Sequence, residues 1–118
     1  MKTILFILLC FISTPAFADE WITADTWREG TYLGLLAIDW HQTRVCLASI
    51  SCYEKNPAVG KHPSSQKLNV EVATTALTHI VLSTVLPEKF RAPFQYISIG
   101  VEGEATWHNY RVRVTLGF

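Results

Sequence analysis

Residues 66–86, QKLNVEVATTALTHIVLSTVL, form an apolar stretch in which polar or small residues recur at helical spacing. Residues three, four and seven positions apart share one face of an α-helix, and this face carries Asn69, Ala73, Ala76, His79 and Ser83. Two further apolar stretches repeat the arrangement, one with Asp39, Gln42, Thr43 and Cys46, the other with Gln95, Ser98, Glu102, Thr106 and Asn109. The pattern predicts three helices that each bear one polar stripe.

The polar stripes are the candidate functional site. Polar side chains in a bilayer are costly unless they meet one another, so the stripes are expected to face inward. We predict an intramembrane polar site formed by Asp39, Gln42, Thr43, Asn69, His79, Glu102 and Asn109. Two interpretations stay open. The site either holds the helices together by hydrogen bonds, or uses Asp39, His79 and Glu102 as ligands or relay groups for a proton or a metal ion.

Composition favours a membrane protein and limits the chain to one domain. Of 118 residues, 17% are charged and 49% are hydrophobic, whereas soluble domains average about 25% charged residues. A water-soluble chain of this length buries only about two-thirds of its unfolded surface. Net charge is zero, and without a basic patch nucleic-acid binding has no electrostatic support.

The N-terminus has the order of a secretory signal peptide. Lys2 precedes an apolar run over residues 4–12, and the small-residue pattern Ala16-Phe17-Ala18 follows. We predict a signal peptide over residues 1–18, cleaved after Ala18, and a single helical membrane domain over residues 19–118. The alternative is an uncleaved anchor helix.

Local signals give the predicted helix boundaries as 27–50, 66–86 and 94–110. Thr26-Trp27-Arg28-Glu29 matches a capping box at the start of the first helix. Ser64 or Ser65 is a predicted cap for the second helix, and Pro87 ends it. Pro93 suits the first position of the last helix.

Basic residues predict a bacterial-type inner membrane as the location. If Lys2 is cytoplasmic and each segment crosses once, seven basic residues fall inside (Lys2, Arg44, Lys55, Lys61, Lys67, Arg111, Arg113) and three outside (Arg28, Lys89, Arg91). This orientation favours reduced thiols at Cys46 and Cys52. In a periplasm the two cysteines are close enough in sequence to pair.

The C-terminus supports a different location. Residues 110–118, YRVRVTLGF, alternate strictly and end in an aromatic residue, which predicts a short strand-like tail. The tail resembles the terminal signature of outer-membrane barrels, so an outer-membrane or periplasmic location is the alternative. A complete barrel needs at least eight strands of about ten residues, more than this chain comfortably supplies. We therefore expect an all-α bundle with a strand-like tail.

The loop between the first two helices contains Glu54, Asn56 and Pro57 within Glu54-Lys55-Asn56-Pro57, and His62-Pro63-Ser64 follows. With Asp39-Trp40-His41-Gln42-Thr43 and Ile99-Gly100-Val101-Glu102, this pattern resembles a family of short, uncharacterised membrane-associated proteins of bacteria and phages. The resemblance implies a small helical membrane protein and directs interest to Asp39, Glu54, Asn56, His79 and Glu102. It implies no activity.

The predicted function is that of a small integral membrane protein, more an associating component than an enzyme. Common catalytic and phosphate-binding motifs are absent from the sequence, and no paired-cysteine zinc pattern occurs. We predict no cofactor and no structural metal. The expected partners are membrane lipid and another membrane protein, either a second copy or a different chain. The alternatives are the proton or metal-ion site and the outer-membrane protein.

Overall fold

This computed structural model describes residues 20–48 and 63–111, and three α-helices lie within these ranges. They are α1 (Thr23–Leu47), α2 (Ser65–Val85) and α3 (Glu88–Arg111). The predicted all-α class is confirmed. α1 packs most extensively against α3 and less against α2, whereas α2 and α3 contact each other little. The interior of the bundle therefore lies along α1.

The start of α1 differs from the prediction. The helix begins at Thr23 with Ile22 as its N-cap, and the carboxylate of Asp25 accepts the Ile22 backbone N–H at 2.9 Å. The Thr26 hydroxyl accepts the indole N–H of Trp21 instead of capping the helix. The predicted capping box at Thr26 is therefore wrong, because Asp25 holds the free amide and Glu29 turns into the interior.

The turn between α2 and α3 also differs in part. Ser64, one of the two predicted caps, is the N-cap of α2 and accepts the Lys67 backbone N–H at 3.1 Å. α2 ends at Val85, just before Pro87, as predicted. α3 begins at Glu88 and runs through Pro93, so the prediction that Pro93 opens the helix is wrong. The backbone amides of Phe90 and Arg91 bond to the Pro87 carbonyl and close the first turn before the proline is reached.

Several predicted features fall partly or wholly outside the described residues. α1 ends at Leu47, and residues 49 and 50 of its predicted span are not described. The signal peptide and the loop residues Glu54, Asn56 and Pro57 also lie outside the described ranges. Of the predicted terminal strand, Tyr110 and Arg111 belong to α3 and are helical, which corrects the strand assignment for those two residues.

The end of α1 carries a disulfide. Cys46 is disulfide-bonded, and its partner lies outside the described residues, because Cys46 is the sole cysteine within them. The prediction of a reduced thiol at Cys46 is therefore wrong in this structure. Disulfides persist in oxidising compartments and are rare in a bacterial cytoplasm.

The interior of the described bundle is mostly polar. Its buried hydrophobic residues are Tyr32, Leu36 and Leu68, whereas its buried polar residues are Asp25, Arg28, Glu29, Gln42, His79, Ser83, Arg91 and Gln95. Soluble domains show the opposite distribution. The packing of this bundle therefore depends on hydrogen bonds and ion pairs between helices.

The cap of α2 gives a first prediction. Ser64→Ala removes the hydrogen bond to the Lys67 amide and should lower the free energy of unfolding by about 1 kcal/mol. Helical circular dichroism during chemical unfolding measures this change. Ser65→Ala is the matched control, because Ser65 already belongs to the helix, and it should have little effect. Equal losses in both variants would contradict the assigned cap.

Candidate functional site

A closed set of ion pairs lies at the end of the bundle where α1 and α3 begin. Asp25 and Arg28 of α1 meet Glu88 and Arg91 of α3, and we call these four residues the ion-pair ring. Arg28 binds Asp25 and also Glu88, the latter at 3.0 Å. Arg91 binds Asp25 at 2.8 Å and Glu88 at 3.2 Å. Each arginine therefore contacts both carboxylates, and the formal charges of the ring sum to zero.

The ring satisfies backbone groups that the helix ends leave open. The carbonyl of Ser83 would normally accept an N–H from residue 87, but Pro87 has none. The Nε–H of Arg91 donates to that carbonyl at 2.7 Å instead. Asp25 and Glu88 lie in the first turns of α1 and α3, where a helix dipole favours negative charge. The ring therefore forms where the start of α1, the end of α2 and the start of α3 come together.

Glu29 forms the centre of a second group, one turn further along α1. Its carboxylate accepts hydrogen bonds from Ser83 Oγ at 2.8 Å and from Gln95 Nε2 at 2.9 Å. The Nδ1 atom of His79 lies 2.8 Å from the other oxygen of Glu29. We call Glu29 and His79 the Glu29–His79 pair. Gln95 links it to the ring, because its Oε1 accepts from Arg28 Nε at 2.8 Å.

The imidazole of His79 is held between two aromatic rings. Its centroid lies 3.6 Å from that of Tyr32 and 4.6 Å from that of Phe94, both in stacked geometry. His79 is only 5% exposed, and its Nε2 atom is buried without a hydrogen-bond partner. The stacking fixes the plane of the imidazole, and the bond to Glu29 fixes its rotation in that plane.

The arrangement of Ser83, His79 and Glu29 is not that of a hydrolase triad. In a triad the histidine stands between the acid and the serine and accepts the serine proton. Here the Ser83 hydroxyl donates to Glu29, and it lies 3.5 Å from the same histidine nitrogen, Nδ1, that faces the carboxylate. Ser83 therefore supports the carboxylate and is not activated as a nucleophile.

A third group lies between the second halves of α1 and α3, and we call its residues, Asp39, Gln42, Glu102 and Asn109, the Asp39 cluster. The Asn109 amide donates to Asp39 and to Gln42, the latter at 3.2 Å. The carboxyl group of Glu102 lies beside that of Asp39, and its Oε1 atom is buried without a partner. The cluster therefore brings an acid of α1 and an acid of α3 together.

The structure assembles the predicted site only in part. Asp39, Gln42, Glu102 and Asn109 come together as predicted, in the Asp39 cluster. His79 does not join them; it lies with Glu29, and Tyr32 stands between the two groups, close to both Glu29 and Glu102. Asn69 is exposed and accepts the indole N–H of Trp40 at 2.9 Å. Thr43 is half-buried and belongs to neither group.

Sequence reasoning missed the ion-pair ring and Glu29. In the sequence, Glu29 matched a capping box, and Arg28 and Arg91 counted only as basic residues outside the membrane. A usable signal was present: opposite charges stand three residues apart at both Asp25/Arg28 and Glu88/Arg91, which places each pair on one helical face. Such pairs are usually solvent-exposed, so the pattern alone could not assign them to the interior.

Metal ligation has no support in these groups. Within residues 20–48 and 63–111, no set of three or more His, Cys, Asp or Glu side chains is arranged to hold a metal ion. The predicted ligand set of Asp39, His79 and Glu102 is divided between two clusters. The candidate site is therefore a series of hydrogen-bonded acids, bases and amides along α1.

No protein-family model, curated protein or solved structure matches this chain. The fold and interior define an all-α helical bundle with a polar, ion-paired core. The similarity to a family of membrane-associated proteins remains a prediction.

The ring gives a second prediction. Arg91→Ala leaves Asp25 buried without one of its cations and Ser83 without its donor, so it should cost about 3–5 kcal/mol of unfolding free energy. Lys89→Ala, which removes an exposed cation from the same helical turn, is the control and should cost less than about 1 kcal/mol. Chemical unfolding followed by helical circular dichroism measures both losses. Similar small losses would show that the ring does not hold the bundle together.

The Asp39 cluster gives a third prediction. Asn109→Ala removes the donor to Asp39 and Gln42 and should lower the unfolding free energy by about 1–3 kcal/mol. Glu104→Ala, at an exposed position of the same helix, should change it by less than about 0.5 kcal/mol. Tryptophan fluorescence during unfolding reports both values. A loss in the glutamate variant as large as in the asparagine variant would contradict the assigned contacts.

Proposed function

We propose that this chain is a small integral membrane protein that acts, without catalysis, by associating with another membrane component. The observation that supports this proposal is the reversed polarity of the bundle. Its charged and polar side chains are buried, whereas large apolar side chains lie on the outside, among them Trp27 at 74% exposure, Ile97 at 68% and Val101 at 66%. Lipid accommodates such a surface, whereas water does not.

The dimensions of the helices agree with a bilayer. α1, α2 and α3 contain 25, 21 and 24 residues, and a hydrocarbon core of about 30 Å needs about 20 helical residues. Of the described helices, α2 alone is long and apolar enough to span a bilayer, and only 17% of its apolar 18-residue segment is buried inside the bundle. A core helix of a soluble protein would be buried for most of its length.

The polarity of α1 and α3 has a specific explanation under this proposal. The mean hydropathy of both helices is too low for a simple membrane span. It is lowered by the residues that they contribute to the ring, to the Glu29–His79 pair and to the Asp39 cluster. Ionisable residues in membrane helices face the interior of a bundle and pair with one another. Here they do so, so the polar residues that lower the average hydropathy need not contact lipid.

Association is the role that the outer surface supports. The interior groups are largely satisfied by one another, which leaves the outer apolar faces for contact with lipid or a further chain. The exposed aromatic residues at the helix ends include Trp27, Phe90, Trp107 and Tyr110. Such rings prefer the membrane interfaces. We expect membrane lipid and either a second copy or a different membrane protein as partners.

The location proposed is a bacterial-type inner membrane. The disulfide at Cys46 favours a periplasmic position for that end of the bundle. This orientation is opposite to the one predicted from the basic residues.

Labelling of bacterial cells that produce the protein tests this position. A maleimide that does not cross membranes should label Cys46 only after treatment with an external reductant. Labelling without reductant would contradict a disulfide in this compartment.

A substitution in α3 tests the membrane proposal. Ile97→Lys places a charge near the middle of the lipid-facing surface and should lower the inserted fraction, because a central lysine costs about 2.5–3.5 kcal/mol. Tyr110→Lys is the matched control, since a lysine in the last turn reaches the interface. The measurement is the share of protein that resists alkaline carbonate extraction and dissolves only in detergent. Detergent-free, monodisperse wild-type protein in a periplasmic extract would overturn the proposal, as would equal insertion of the two variants.

A further inference from the structure

The ion-pair ring and Glu29 together carry one more negative than positive charge. Asp25, Glu29, Arg28 and Arg91 are buried, whereas the Glu88 side chain is 35% exposed. In the ion-pair ring the guanidinium groups of Arg28 and Arg91 compensate the carboxylates of Asp25 and Glu88. Glu29 lies beside this neutral ring and is only 6% exposed. Among the described residues its hydrogen-bond partners are His79, Ser83 and Gln95, none of which is an arginine or lysine.

His79 is the one partner of Glu29 that can carry a positive charge. Ser83 and Gln95 are neutral donors at any pH of interest. A buried carboxylate without a cation is expensive in a low-dielectric interior, even when neutral donors bond to it. One proton on the imidazole converts the Glu29–His79 pair into a salt bridge and brings the summed charge of the ring and the pair to zero.

The aromatic rings around His79 favour the same state. The π faces of Tyr32 and Phe94 cover both sides of the imidazole at 3.6 and 4.6 Å between centroids. A cation between two such faces is stabilised by their quadrupoles.

We propose that the Glu29–His79 pair is a proton-binding site in the interior of the bundle. In the loaded state the imidazolium donates Nδ1–H to Glu29 Oε1 and keeps a second proton on Nε2. On release, the Nε2 proton leaves to water and the electron pair of that bond stays on the nitrogen. The Nδ1–H···Oε1 bond remains through both states. Nε2 is the atom for exchange because it is the nitrogen without a partner.

Charged and titratable groups from all three helices surround the pair. α1 contributes Tyr32 and the ring members Asp25 and Arg28, and α3 contributes Gln95, Glu88 and Arg91. α2 contributes only His79 and Ser83 to the network around Glu29. The four ring charges cancel in sum. On its other side Tyr32 lies close to Glu102 of the Asp39 cluster, whose Oε1 is buried without a partner.

The proposal concerns only groups buried between the helices, so it stands apart from the question of membrane insertion. A histidine with a purely structural role would keep one neutral tautomer and would not respond to the charge of Glu29. A proton-binding pair gains its proton at Nε2 and depends on the carboxylate. NMR distinguishes these two cases.

The test uses the full-length protein in detergent micelles with histidine labelled by ¹⁵N, the His79 signals being assigned from their loss in His79→Gln. With falling pH, the His79 signals should change from the neutral Nδ1–H form to the imidazolium, with protonation at Nε2. At the pH where half of the wild-type His79 signal is that of the imidazolium, Glu29→Gln should show less of it, because the carboxylate no longer stabilises the cation. His108→Gln, at an exposed position, should leave the midpoint of His79 unchanged.

Two results would overturn the proposal. One is a wild-type His79 that carries its neutral proton on Nε2 or does not titrate while the bundle stays folded. This measurement needs no variant, so it decides the matter even if Glu29→Gln fails to fold. The other is an identical midpoint in the wild type and in a folded Glu29→Gln, which would show that Glu29 does not control the proton.

Discussion

The guanidinium group of Arg91 holds the three helices together. It belongs to α3, binds the carboxylate of Asp25 on α1 at 2.8 Å and donates to the Ser83 carbonyl of α2 at 2.7 Å. Its side chain is fully buried, and the indole of Trp21 covers its face at 5.2 Å. Because α2 and α3 otherwise contact each other little, the Arg91 side chain largely fixes the position of the turn at Pro87.

A charge so deeply buried constrains everything near it. Asp25 and Glu88 must be present to compensate Arg28 and Arg91. Gln95 must orient its amide so that the oxygen faces Arg28 and the nitrogen faces Glu29. The Glu29 carboxylate in turn needs His79 and Ser83 as its hydrogen-bond partners. The result is a connected network in which the loss of one member leaves another buried and unsatisfied. Such networks specify a unique arrangement of helices even where few apolar contacts do so.

Much of the fold and part of the site were predictable from the sequence. The three helices follow from the stripes, Ser64 and Pro87 mark two boundaries correctly, and Asp39, Gln42, Glu102 and Asn109 meet because they occupy matching stripes on α1 and α3. His79 was placed with the wrong partners, since periodicity gives a face of a helix but not its height relative to a neighbouring helix. Glu29 matched only a helix cap in the sequence, and its contacts with Ser83 and Gln95 in the folded bundle assign it to the interior. Pro93 was misplaced because the helix already starts at Glu88, where the backbone amides of Phe90 and Arg91 bond to the Pro87 carbonyl.

The sequence by itself determined the helical class, the approximate spans and the existence of inward polar faces, because these depend on spacing along one chain. The tertiary structure decided which polar residues meet, that the ion-pair ring is closed and neutral, and that His79 faces Glu29 between two aromatic rings. Those features depend on the relative shift and rotation of separate helices. Contacts between residues as far apart as Asp25 and Arg91 set that geometry, and no local pattern encodes it.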